Sequence, residues 1–368
     1  MDYTHSLVFK HLANLVSFDT QNPPRKIDSE SAIFGYLKEH LKDFNLEFID
    51  ADDGCLSLLA TRGKPDLLFN FHIDTVPVAS GWTLEPLELV QQGDKLIGLG
   101  ACDIKGAAAC MLSAVNQQAG DVALLFSSDE EHGSSQAIKK FLSVNNSFNK
   151  VIVAEPTQAK AIVAHRGIQT AVAHFKGLSG HASEARALKD NAIHKAGEWI
   201  YRATSWVSLF DQQVENLSGL PFNIGTVNGG IKANMIAANC ELKFGFRPLP
   251  GQSAQSVIEQ LAELSENSPD IEKGFFGPCL PAANQPFEEA MNKAKDLAIS
   301  LGIDIGHAVN FWTEASLFSQ AGMTTFVFGP GDIAQAHTAD EWVAISQLQA
   351  VENSYLNILS QQGQTNVN

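Results

Sequence analysis

The segment VALLFSSDEE, residues 122–131, runs from an unbroken apolar stretch into two serines and three adjacent carboxylates. A short run that is apolar at every position reads as a strand covered on both faces, the signature of a parallel sheet. Carboxylates left unpaired at the edge of a core cost several kcal/mol or more. A cation is therefore expected beside Glu130 and Glu131, unless the acidic turn is simply solvated. The rest of the chain decides between the two.

Three more runs share this shape. Residues 67–71 are nearly all apolar and end in His72-Ile73-Asp74. Residues 151–154 lead into Glu155, and 324–328 lead into a loop that carries His337. Helical spacing is read over 5–18, 28–44, 107–115, 138–144, 287–301 and 346–360. Strands alternating with helices predict an α/β fold with a mainly parallel sheet, and ligands in such sheets bind outside the carboxyl ends of the strands. The pattern changes after residue 165. Residues 168–175 and 236–246 read as strands of a half-exposed sheet, and 190–210 and 254–266 as amphipathic helices. The expected organisation is a catalytic domain made of 1–165 and 274–368, interrupted by a smaller α+β domain over 166–273.

The 368 residues suffice for two domains with cores of their own. A net charge of −16 argues against nucleic acid and anionic membrane as partners. The five cysteines include no CxxC pair, which points to a reducing compartment. Residues 1–10 lack the basic and apolar regions of a signal segment, and no uncharged apolar run reaches the roughly 18 residues that span a bilayer. A cytoplasmic protein is expected.

The candidate chemistry lies where the strands end. In His72-x-Asp74 a carboxylate two residues on is placed to hydrogen-bond the far ring nitrogen of a metal-bound histidine, and a strand-end histidine beside a turn aspartate has the same sequence. Residues 98–106, GLGACDIKG, lack the GxGxxG spacing of a dinucleotide loop. Asp103 there reads as a carboxylate at a helix N-terminus, either an ordinary cap or a ligand able to bridge two ions. His72, Asp103, Glu130, Glu131, Glu155 and His337 together make two histidines, one aspartate and three glutamates at one sheet edge. Zinc takes such nitrogen and oxygen ligands at roughly 2.0–2.2 Å, and paired ions about 3.5–4 Å apart act as a hydrolytic clamp. Two ions sharing the aspartate, each with one histidine and one glutamate, use five residues and leave one glutamate as a general base.

These residues lie in a series of motifs: HIDTVP (72–77), GLGACDIKG (98–106), SSDEEHGS (127–134), AEPT (154–157), GLSGHAS (177–183), GGIKANMIA (229–237), FGFRPLPG (244–251), FWTEAS (311–316) and GPGDIAQAHTADE (329–341). In this order, from about residue 7 to 360, the chain closely resembles the M20 family of metallopeptidases and deacylases. Within that family it looks most like the deacetylases of N-acetylornithine and N-acetylcitrulline. The resemblance implies a zinc-hydrolase catalytic domain with an inserted lid and dimerisation domain, two zinc ions that cobalt can replace, and a homodimer. One zinc would be held by His72 and Glu155, the other by Glu131 and His337, with Asp103 bridging. Glu130 would be the general base, with Asp74 orienting His72. A non-proline cis peptide would follow Asp103. His181 would stabilise the oxyanion in its own or a partner's site. Asn234 and Arg247 would hold the substrate α-carboxylate. Glu314 would either meet the far end of the substrate or pair within the catalytic core. The implied reaction is hydrolysis of an N-α-acetyl amino acid to acetate and the free amino acid, a step of arginine biosynthesis. Two readings compete: a dipeptidase, carboxypeptidase or succinyl-diaminopimelate desuccinylase of the same fold, and a metal-free binding protein. A nucleotide-dependent oxidoreductase is disfavoured by the missing glycine spacing.

Overall fold

The computed structural model describes residues 3–145, 147–266 and 268–364. The chain forms two compact units. The first comprises Met1–Val163, Asn284–Gly306 and Thr313–Asn368; the second comprises Ala164–Ala283 and His307–Trp312.

The first unit is built on a six-stranded sheet in the order Asn45–Asp50, Leu56–Arg62, Val122–Ser127, Leu67–His72, Lys150–Val153, Thr324–Val327. The last four run parallel, while the first two join antiparallel at one edge. Every residue of Leu67–His72 and Val122–Ser127 is buried, as their continuous apolar character requires. Helix Gly106–Gln117 packs against Leu7–Ser17 and Ile345–Gln364. From the last of these, the Tyr355 ring meets Phe69, Phe71 and Phe328. Helix Gln136–Val144 packs against the two antiparallel edge strands and against Ala315–Gln320. A small three-stranded sheet, Val90–Gln92, Lys95–Ile97 and Trp342–Ala344, joins the segment before Asp103 to the segment after His337.

The second unit is an antiparallel four-stranded sheet in the order Phe222–Gly229, Asn239–Phe246, Ile168–Lys176, Asp270–Gly277. Burial alternates along Ile168–Lys176, so one face of this sheet meets a core and the other does not. Helices Ala192–Val207 and Ala254–Glu263 supply that core. Its centre is Trp199, fully buried, whose indole N–H donates to the Leu261 carbonyl at 2.7 Å. The unit is wider than the 166–273 read from the sequence. Strand Asp270–Gly277 pairs with Ile168–Lys176 and carries the chain past residue 273. Residues 307–312 return to it through a bridge from Val309 to His165 and a hydrogen bond from Arg166 Nε to Asn310. Among the described residues, no helix is long and apolar enough to cross a membrane.

Candidate active site

Four parallel strands of the first unit deliver their carboxyl ends to one edge. His72 is the last residue of its strand, Glu130 and Glu131 follow Ser127, and Glu155 follows Val153. His337 lies in the loop after Val327, in the left-handed region at φ 58°. Asp103 sits just before helix Gly106–Gln117, after Gly100 turns the chain at φ 76°. A Cβ on Gly100 would come within 2.7 Å of Thr75, so only glycine makes this turn without displacing its neighbour. The Asp103–Ile104 peptide is cis.

Two clusters result, His72 with Asp103 and Glu155, and Asp103 with Glu131 and His337. Asp103 faces both ways. Its Oδ1 lies 3.0 Å from His72 Nε2, and its Oδ2 lies 3.3 Å from His337 Nε2. Glu155 Oε1 is 4.0 Å from His72 Nε2, and Glu131 Oε1 is 2.9 Å from His337 Nε2. Donor atoms on a tetrahedral ion with bonds of roughly 2.0–2.1 Å stand roughly 3.3 Å apart. The observed spacings bracket that value.

The orientation of His72 tests the fit independently. Its Nδ1 lies 3.0 Å from the main-chain carbonyl of Asp74, which can only accept, so Nδ1 carries the proton. In the neutral ring, Nε2 then turns a lone pair toward a carboxylate oxygen. Two lone pairs at 3.0 Å repel unless a proton or a metal ion stands between them. The donor set therefore fits a divalent cation. It is the carbonyl of Asp74 that makes this contact, since its carboxylate Oδ1 stands 3.6 Å from His72 Nδ1. The other oxygen, Oδ2, accepts the amide N–H of Glu131 at 3.0 Å, which ties the two clusters together.

The electrostatics agree. Burial opposes a charged His72, yet the neighbouring carboxylates of Asp103 and Asp74 hold it well above its ordinary value. His337, bonded to Asp103 and Glu131, is raised to about 10. Burial and then the charge of Glu131 drive Glu130 well above the usual carboxylate range, and burial and then Asp103 do the same to Glu155. Excess negative charge is thus balanced by protons, the balance a divalent ion would take over.

Glu130 belongs to neither cluster, and among the described residues its carboxylate makes no hydrogen bond. Asp129 caps the next helix by accepting the amides of Gln136 and Ala137. Glu314 is 1% exposed and accepts from Ser127 Oγ at 3.3 Å, so its carboxylate is buried within the first unit. Burial and then Asp129 raise it to about 8. In the second unit, His181 is exposed, with Nδ1 2.8 Å from Ser183 Oγ. Asn234 lies beside it, its carbonyl accepting the amide of Ala182 at 3.1 Å. Arg247 is half-buried. Two residues escaped the sequence reading. Arg166, 1% exposed, donates to the carbonyls of Ser218, Gly219 and Arg247. Glu341, also 1% exposed, accepts three amides of the Asp103 loop.

The profile of peptidase family M20/M25/M40 matches residues 68–361. The chain belongs to this family. It is an M20 hydrolase, and its likeness to other M20 proteins extends nearly end to end. An N-acetyl-L-citrulline deacetylase of Xanthomonas campestris pv. campestris is 48% identical over 354 residues, 95% of this chain and 97% of that protein. An acetylornithine deacetylase of Salmonella arizonae is 33% identical over 300 residues, covering 77% and 76%. The Bacillus subtilis YXEP protein, a dinuclear metal-binding peptidase of the M20 family, shares the fold with a TM-score of 0.65 at 17% identity, covering 96% and 97%.

Proposed function

We propose that this M20 hydrolase removes the acetyl group of N-acetylcitrulline, with two metal ions held by His72 and Glu155 on one side, Glu131 and His337 on the other, and Asp103 shared. The observation that carries the site is the pair of clusters meeting at the two oxygens of Asp103. The substrate is supported by 48% identity along 95% of the chain to a deacetylase of that compound. N-acetylornithine is the second reading, because deacetylases of that name are related at 33%.

Zinc suits the nitrogen and oxygen donors, with cobalt as a substitute. When bound, the ion pair polarises the acetyl carbonyl and lowers the pKa of water toward about 7. Glu130, free of both clusters, removes a proton from the attacking water and later delivers it to the leaving amine. Water adds to the carbonyl carbon, the C–N bond breaks, and acetate and the free amino acid depart. His181 is assigned to the oxyanion. Asn234 and Arg247 are assigned to the α-carboxylate, which a guanidinium contacts in two-pronged fashion. A homodimer in the cytoplasm completes the proposal, and five free, buried cysteines accord with a reducing compartment.

The test is kcat/KM on N-acetylcitrulline, N-acetylornithine and a dipeptide with the zinc- or cobalt-loaded protein. N-acetylcitrulline should lead by at least about tenfold, a difference of about 1.4 kcal/mol. A dipeptide that outruns both acetyl amino acids would overturn the assignment.

A further inference from the structure

The segment that carries His337 is stitched along its length to the segment that carries Asp103. Asp340 Oδ1 and Oδ2 accept from the amide and hydroxyl of Thr83 at 2.8 and 2.7 Å. The main-chain carbonyl of Glu341 accepts the amide of Gly98 at 3.0 Å. Beyond it, Trp342, Val343 and Ala344 pair antiparallel with Ile97, Leu96 and Lys95. At the centre lies the Glu341 carboxylate. Oε2 accepts the amide of Gly100 at 3.0 Å, and Oε1 accepts the amides of Cys102 at 2.8 Å and Asp103 at 3.0 Å.

These three amides have no partner in regular secondary structure, because the chain there makes a left-handed turn at Gly100. Buried amides need an acceptor, and the two oxygens of one carboxylate supply it to all three. The Asp103 side chain must present one oxygen to His72 and the other to His337, so a small rotation of its backbone spoils both contacts. His337 hangs four residues before the same glutamate.

We propose that Glu341 is a positioning residue for the shared carboxylate, fixing the 100–103 backbone so that Asp103 faces His72 and His337 together. The inference rests on the two-ion reading of the site. Residues that support ligands in this way change metal affinity by roughly 10–100-fold when removed.

The experiment uses the full chain stripped of metal, titrated with Co2+ and followed by calorimetry and visible absorption. Wild type, Glu341→Ala, Glu341→Gln and Asp340→Asn are compared. Asp340→Asn loosens a neighbouring stitch that does not touch the Asp103 loop. Hydrogen exchange of the peptide covering 98–106 is measured on the same metal-free proteins. Wild type and Asp340→Asn should bind two ions alike. Glu341→Ala should bind both roughly 10–100-fold more weakly, with Glu341→Gln between them and faster exchange over 98–106 in both Glu341 variants. Glu341 variants that bind both ions as wild type does, even at a lowered Tm, would make the role merely structural and overturn the proposal. If wild type takes up fewer than two ions, the two-ion reading fails. The exchange data then still decide the clamp: faster exchange upholds it and unchanged exchange removes it.

Discussion

Replacing Glu130 by Gln separates proton transfer from metal binding. The amide keeps the size of the side chain and loses its basicity. Glu130 lies outside both clusters, so His72, Asp103, Glu131, Glu155 and His337 keep their geometry and the variant should hold the same metal content. A positioned general base contributes about 10²–10⁴-fold in rate, or about 2.7–5.4 kcal/mol at 1.36 kcal/mol per decade. kcat should fall by that factor while KM changes little, because the group acts on water and on the leaving amine. Stability should move the other way. Burial and the charge of Glu131 hold Glu130 well above its ordinary range. At neutral pH the metal-free fold therefore has to take up a proton that the unfolded chain does not hold, which costs stability, and a neutral Gln removes that burden. The metal-free variant should unfold at the same Tm as wild type or higher. Acetate release, elemental analysis and thermal melts on one preparation give all three readings. A variant with full metal content and kcat within a few-fold of wild type would refute the base assignment.

Two further predictions concern the inserted unit. Trp199→Ala should destabilise that unit by about 3–5 kcal/mol, since it empties the centre of its core and strands the Leu261 carbonyl; a loss under about 1 kcal/mol in denaturant titration would place the core elsewhere. Burial lowers His165 to about 4, and its Nδ1–H donates to the Arg166 carbonyl at 2.8 Å. Between pH 6.5 and 4 the unfolded chain takes up a proton that the folded chain refuses, so stability falls as pH falls through that window, by on the order of 3 kcal/mol at its lower end. A His165→Asn variant should show a correspondingly shallower decline than wild type in urea titrations at pH 7 and 4.5, and equal slopes would contradict the neutral, buried histidine.

The centre of the fold was legible because its strands are apolar at nearly every position. Leu67–His72 and Val122–Ser127 are buried on both faces, and that burial wrote an unbroken run into the sequence. Strands Phe222–Gly229 and Asp270–Gly277 were not read, because both lie at sheet edges and are mostly exposed, so no alternation marks them. The same logic divides the site. His72, Glu130, Glu131 and Glu155 stand directly past apolar runs, where a polar residue at a strand end is conspicuous. Glu341 reaches the amide of Asp103 across 238 positions of chain. Only the register between Trp342–Ala344 and Lys95–Ile97 brings it there, and no local pattern encodes that register. Glu314 was read with two alternatives open, and its burial against Ser127 depends equally on tertiary packing.

The most direct test of a metal-dependent deacetylase is release of acetate from N-acetylcitrulline before chelation, after exhaustive chelation, and after return of two equivalents of zinc or cobalt. Acetate and citrulline should appear in equal amounts, cease on chelation, and resume only as the second equivalent is added. Hydrolysis that survives chelation, or acetate never released from metal-loaded protein, would contradict it.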